Sequence, residues 1–204
     1  LNEMFAWLTS WPNRAKAGEL YGAVVTVART PGYYSNFCVP DTPRGRFEVI
    51  ALVLFLVLER LKDTPGGMAL SQAAIEAFIT DMDDCMREMG VGDLTVPKKV
   101  KRAAAAFYDR AKDYRKALAE NGDDALPRAL LLHIWNRGDG VATEASWPLA
   151  QALANAIRYQ VEGLACTKDA RLLNTQTLVD VLQHALPGTT HRAACASQAV
   201  LKKT

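Results

Sequence analysis

The sequence predicts an all-α fold, a single compact bundle of about seven to eight helices around an apolar central helix at Arg44–Lys62. Three observations carry this. Apolar residues recur every three or four positions along most of the 204-residue chain, the spacing of one helix face. The run Val49–Leu58 is apolar at every position, so it has no polar face to turn to water and must be enclosed by other helices. Proline and glycine punctuate the chain between the periodic stretches, and no stretch alternates in the two-residue period of a strand.

Met4–Trp11 carries Phe5, Trp7, Leu8 and Trp11 at helical spacing and is expected to break at Pro12, giving an N-terminal arm over residues 1–16. Leu20, Val24, Val27 and Ala28 then mark an amphipathic helix that Pro31-Gly32 stops. Tyr33, Tyr34 and Phe37 follow in a loop and are expected to stand exposed. Asp41 or Thr42 is placed to cap the central helix, accepting an orphan backbone N–H.

After the turn Pro65-Gly66-Gly67, Ser71 is expected to cap a helix striped by Ala74, Ile75, Phe78, Ile79, Met82 and Met86. Gly90 and Gly92 end it, because glycine enters the left-handed conformation cheaply. The stripe resumes after Pro97 as Val100, Ala104, Phe107, Ala111, Tyr114 and Leu118. Asp123 or Asp124 opens the next helix, which runs to Trp135. Ser146-Trp147-Pro148 reads as a cap and early proline for a helix to about Cys166, and a last helix spans about Leu172 to Leu186. Residues 167–204 are expected to form a C-terminal helix and a polar tail.

The longest apolar run is half of what a bilayer span needs, and the start of the chain has neither a secretory h-region nor an Arg-rich leader. An intracellular protein is expected. Cysteines at 38, 85, 166 and 195 form no close pair, which fits reduced thiols better than a disulfide framework or zinc site. The histidines at 133, 184 and 191 have no ligand spacing, and no nucleophile motif or phosphate-cradling loop is present. These readings point away from an enzyme, and no cofactor or metal is expected.

The polar information is concentrated between Asp81 and Arg110, where an acidic helix end turns through Gly90–Leu94 into a basic helix. Asp81, Asp83, Asp84 and Glu88 could serve a magnesium-dependent isoprenoid-diphosphate enzyme. That chemistry needs a second carboxylate set on a facing helix, and the sequence has none. A charge network of Asp41, Asp81, Asp84, Arg87, Glu88 and Asp93, reaching Arg46, is the structural alternative. Lys98 to Lys116 contains eight cations, and Asp109 and Asp113 are spaced to pair with Lys112 and Lys116. Lys98, Lys99, Lys101 and Arg102 remain uncompensated, suiting an anionic partner such as RNA, acidic lipid or an acidic protein surface.

Two phrases are long and specific: Val39-Pro-Asp-Thr-x-x-Gly-Arg-Phe-Glu48, and Asp81-Met-Asp-x-x-x-Arg-Glu-Met-Gly-Val-Gly-Asp-Leu-x-Val-Pro-Lys98. With Val100-Lys101 and Phe107-Tyr108-x-Arg110, they resemble the ubiquinol–cytochrome c chaperone family, over about Tyr21 to Cys166. The resemblance implies a helical chaperone-family domain at 17–166 and a non-enzymatic assembly chaperone that binds cytochrome b while the cytochrome bc1 complex is built. It also implies a ribosome contact or a small partner protein and a peripheral contact with the inner membrane; taken with the missing Arg-rich leader it leads us to expect a cytoplasmic location in a bacterium, and no DNA partner is expected. Phe37-Cys38 stands where the resemblance leads one to expect a Leu-Gly-like pair. Arg46, Lys98, Lys99, Lys101, Arg102, Tyr33, Tyr34 and Phe37 are the expected partner-binding residues. A ribosome- or nucleic-acid-binding helical module is the other competing reading.

Overall fold

The structure is a computed structural model and describes residues 2–120, 122–135, 146–184 and 186, with side chains from Arg14 onward except Ala170. Within these residues the regular structure is entirely helical, joined by short turns. Seven helices of six residues or more are α1 (Asn2–Ala28), α3 (Pro43–Leu61), α4 (Gly67–Glu88), α5 (Val96–Ala119), α6 (Ala125–Leu130), α7 (Ser146–Cys166) and α9 (Thr175–His184). Two short helices, α2 (Pro31–Ser35) and α8 (Asp169–Leu172), bridge them. The side chains of Phe5, Trp7, Leu8 and Trp11, the Asn121 and Asn136–Gly140 turns, Cys195, His191 and the tail from Pro187 lie outside the described residues.

The all-α bundle forms as the apolar pattern requires. Helix α3 lies at its centre, with Val49, Leu52, Val53, Leu54 and Val57 wholly buried, and packs against α1, α4, α5 and α7. Thr42 caps it by accepting from the Gly45 N–H at 3.1 Å, and Pro43 follows where no donor is needed. Arg60 leaves its last turn to cap the end of α7, donating to Leu164 O at 2.9 Å and Thr167 O at 2.8 Å and pairing with Asp169 at 2.7 Å. Gln160, fully buried, donates to Tyr33 Oη at 3.0 Å and Leu182 O at 2.6 Å, tying α7 to α2 and α9. With Leu178 and Leu182 also buried, α9 is part of the core.

Several expectations are corrected. Pro12 does not break the first helix, which runs on to Ala28; a proline removes one backbone bond but leaves those on either side. Helix α4 starts at Gly67, not Ser71, because Gly66 takes a left-handed φ of 75° and a side chain at Gly67 would meet Leu61 O. The end of α6 continues as a π-helical turn at Leu131–Trp135. Tyr33 and Phe37 are buried, not exposed: α2 turns Tyr33 inward to meet Gln160 of α7, and Phe37, just beyond α2, packs on the Tyr33 ring; of the three loop aromatics Tyr34 alone keeps access to solvent. Cys38 is disulfide-bonded, against the expectation of four thiols, while Cys85 and Cys166 are free. Its φ of 52° is left-handed, the conformation that the expected glycine would favour.

Candidate functional site

The two specific phrases of the sequence meet across one groove of about 780 Å3 bounded by α1, α3, α4 and α5. One wall is the sulfur-bearing face of α4, Met82, Cys85 and Met86, continued by Met89 at the helix's C-terminal cap. Facing it are Phe47 and Ile50 of α3, Ala103 and Ala106 of α5, and Val25 and Ala28 of α1. The three methionines recur at helical spacing, so one face of α4 presents them together. Methionine is unbranched and polarizable and adapts its shape to what it packs against. The groove opens along Met89, which is 58% exposed.

Its floor holds a buried ion pair. Arg110 donates through Nε to Glu48 Oε2 and through Nη2 to Oε1 at 2.6 Å, and through Nη1 to Ala106 O at 2.8 Å. Phe47 lies under the guanidinium, 5.4 Å from its carbon to the ring centroid. Burial works against the Arg110 charge, but the Glu48 carboxylate outweighs it and holds the guanidinium above its usual value. An acid inside an otherwise apolar helix needs such a partner. That rule makes Glu48 legible as half of a pair; Arg110, far off in sequence, is found only in the fold.

On the α1 side, Tyr21 Oη donates to Asp81 Oδ2 at 2.7 Å. Burial chiefly, and then the Asp81 carboxylate, push the Tyr21 phenol well above its ordinary range. Beside it, burial and then Asp81 also raise the Cys85 thiol, whose Sγ lies 4.0 Å from Asp81 Oδ1.

The expected charge network is present in pieces. Asp41 pairs with Arg46 at 2.7 Å, and Arg87 bridges Asp83 and Asp93 at 2.5 Å each. Arg46 therefore does not cross to the elbow, and Asp81 is engaged by a phenol and not by a cation. Asp84 and Glu88 make no ion pair with the described residues, Glu88 lining the groove instead. Nor do Asp109 and Asp113 neutralise the basic helix as expected. Asp113 turns to His133 at 2.9 Å, and Lys116 reaches Glu120 at 3.8 Å.

Of the expected partner-binding residues, Tyr34, Arg46 and Arg102 line the groove. Lys98, Lys99 and Lys101 are exposed on the adjoining start of α5, and Lys98, Lys99, Lys101 and Arg102 have no ion-pair partner among the described residues. Tyr33 and Phe37 are buried and do not line the groove. Sequence reasoning placed Met82 and Met86 on an apolar stripe but did not read that stripe as a groove wall, and it passed over Arg29 of the rim; the three-and-four spacing of Met82, Met86 and Met89 was the available signal. No group of three His, Cys, Asp or Glu side chains among the described residues is arranged to hold a metal ion.

Comparison with known proteins places this chain in a family. Residues 35–179 match the sequence profile of the ubiquinol-cytochrome C chaperone, beginning later than Tyr21 and ending beyond Cys166. No match emerges among curated proteins. Among solved structures, the crystal structure of the Cbp3 homolog from Brucella abortus is similar, with 36% sequence identity, 85% of this chain and 93% of that chain covered, and a TM-score of 0.69. This chain belongs to the ubiquinol-cytochrome C chaperone family.

Proposed function

We propose that the protein acts without catalysis as an assembly chaperone of the cytochrome bc1 complex, holding cytochrome b as its client in the groove between α1, α3, α4 and α5. The observation that carries this reading is the convergence of the two family phrases on an apolar, methionine-walled groove with an arginine rim. A membrane-protein client is apolar along its helices and polar at their ends, and such a groove complements both. The buried Glu48–Arg110 pair sits beneath it as a fixed floor.

A groove of this volume also lies in the range of small-molecule sites. The isoprenoid-diphosphate reading, however, needs a carboxylate free to face Asp81. The carboxylate on the α3 wall is Glu48, and both of its oxygens are taken by Arg110. The chaperone reading asks nothing of these acids beyond structure.

The test is affinity capture of the tagged protein from host membranes in mild detergent. Wild type is expected to recover cytochrome b, and Met86→Asp, on the groove wall, to lose it while keeping its helical content and melting temperature. Capture that recovers no cytochrome b, or normal bc1 levels in a host lacking the gene, would overturn the proposal.

A further inference from the structure

We propose that the elbow joining α4 to α5 is a docking site for an anionic bilayer surface, with Leu94 and Met89 entering the headgroup region and Lys98, Lys99, Lys101 and Arg102 meeting lipid phosphates. The inference stands on the surface chemistry of the elbow and does not depend on the identity of the client.

Leu94 is 99% exposed and Met89 is 58% exposed. A leucine held fully in water makes no contribution to the fold, and its position at the tip of a turn lets it enter another phase without disturbing the bundle. The four cations that follow within the first turns of α5 are all exposed, and no described carboxylate pairs with any of them. The acids nearest in sequence are accounted for: Asp93 is held by Arg87, and Glu88 faces the groove. Between Arg87 and Arg102 five cations stand against two acids.

An apolar tip followed directly by exposed cations fits a lipid surface, where burial of the tip and attraction to acidic headgroups add. Single-stranded RNA would use the same cations but calls for aromatic platforms on which bases stack. The stretch Arg87–Arg102 contains no aromatic residue. Charge complementarity plus an aliphatic tip therefore favours lipid. Met89 and Arg102 also line the groove, so a docked elbow would set the groove mouth beside the bilayer.

The experiment is flotation of the purified protein with vesicles of phosphatidylcholine alone and with phosphatidylglycerol added, at low and high salt, alongside cosedimentation with ribosomes. Binding is expected only with the anionic vesicles and is expected to fall with salt. Leu94→Asp and the pair Lys98→Glu with Lys101→Glu should each weaken it about tenfold or more. Both lie on exposed positions, and an unchanged melting temperature confirms that the fold is intact. Equal binding to neutral and anionic vesicles, full binding by Leu94→Asp, or ribosome binding without vesicle binding would each overturn the proposal. Because no client is present, failure here leaves cytochrome b capture in detergent unaffected, and the two readings fail separately.

Discussion

Glu48 of α3 and Arg110 of α5 form a two-pronged ion pair across the bundle, with 1% of the acid's side chain and 14% of the base's exposed. Two charges taken from water are tolerated because each satisfies the other in a matched fork geometry. Removing one partner leaves the other buried and uncompensated. Glu48→Ala or Arg110→Ala is expected to lose about 3–5 kcal/mol of stability. Replacing both, Glu48→Met with Arg110→Met, is expected to recover most of that loss, because no lone charge remains. Urea unfolding of the three variants reads the difference. A double variant as unstable as the sum of the singles would show that the pair is not the source of the loss.

The bond from Tyr21 to Asp81 fastens α1 to α4 on the opposite side of the groove. A hydrogen bond to a carboxylate contributes about 1.5–3 kcal/mol when buried. Tyr21→Phe is expected to fall in the lower part of that range, since Asp81 is only half-buried and water can replace the phenol. Thermal unfolding of Tyr21→Phe checks this.

Tyr21, Tyr33 and Tyr114 share a pH signature. Burial is the main cause that raises all three phenols well above their ordinary range; the Asp81 hydrogen bond adds to the shift at Tyr21, and the Glu48 charge adds at Tyr114, while the Gln160 bond partly opposes it at Tyr33. A raised phenol favours the folded state fully below the unfolded value near 10 and progressively less above it, since the unfolded chain then loses protons that the native one keeps. Stability is expected to fall as pH rises past that value. Tyrosinate absorbance from these residues should appear together with the loss of helical circular dichroism. Early, reversible ionisation of all tyrosines in the folded protein would contradict this.

Most of the fold is legible in the sequence because it depends on apolar period and turn chemistry. The all-apolar run of α3 could only be central, the cap was narrowed to Asp41 or Thr42, of which Thr42 serves, and Gly90 takes the left-handed φ of 76° that a helix end favours. The failures have physical causes. Tyr33 and Phe37 sit in a segment that looks like a loop, and nothing in local pattern says that a five-residue helix turns Tyr33 inward or that Phe37 follows it into the core. The groove is the least legible part, since it joins Val25, Phe47, Met86 and Ala103 from four helices. The elbow's charges were readable as types but not as pairs. Arg87 spans Asp83 and Asp93 because the turn folds Asp93 back, a geometry that spacing alone does not contain.

The two free thiols among the described residues should differ in reactivity. Cys85 lies half-buried in the groove, and burial first and Asp81 second raise its thiol, depleting the reactive thiolate. Cys166 is exposed at the end of α7. Iodoacetamide at neutral pH is expected to label Cys166 first and Cys85 severalfold more slowly, as read by peptide mass spectrometry. A client seated in the groove should slow Cys85 further and leave Cys166 unchanged.

Two glycines separate what the fold requires from what it tolerates. At Gly45 a β-carbon would lie 1.9 Å from Pro40 O, inside the capping turn whose N–H bonds Thr42. The obstacle is backbone and cannot rotate away, so Gly45→Ala must open the turn that starts α3. A loss of about 3 kcal/mol or more is expected, at the upper end of overpacking effects because the central helix is involved. Gly22, inside α1, is exposed, and a β-carbon there would have no neighbouring atom within 4 Å. Gly22→Ala is therefore expected to stabilise the protein by about 0.5–1 kcal/mol through a less costly helix backbone. Paired thermal melts of the two variants decide the matter. A Gly45→Ala protein as stable as wild type would show that the Pro40–Gly45 turn is free to rearrange, and a destabilised Gly22→Ala would show that α1 is not a regular helix at that point.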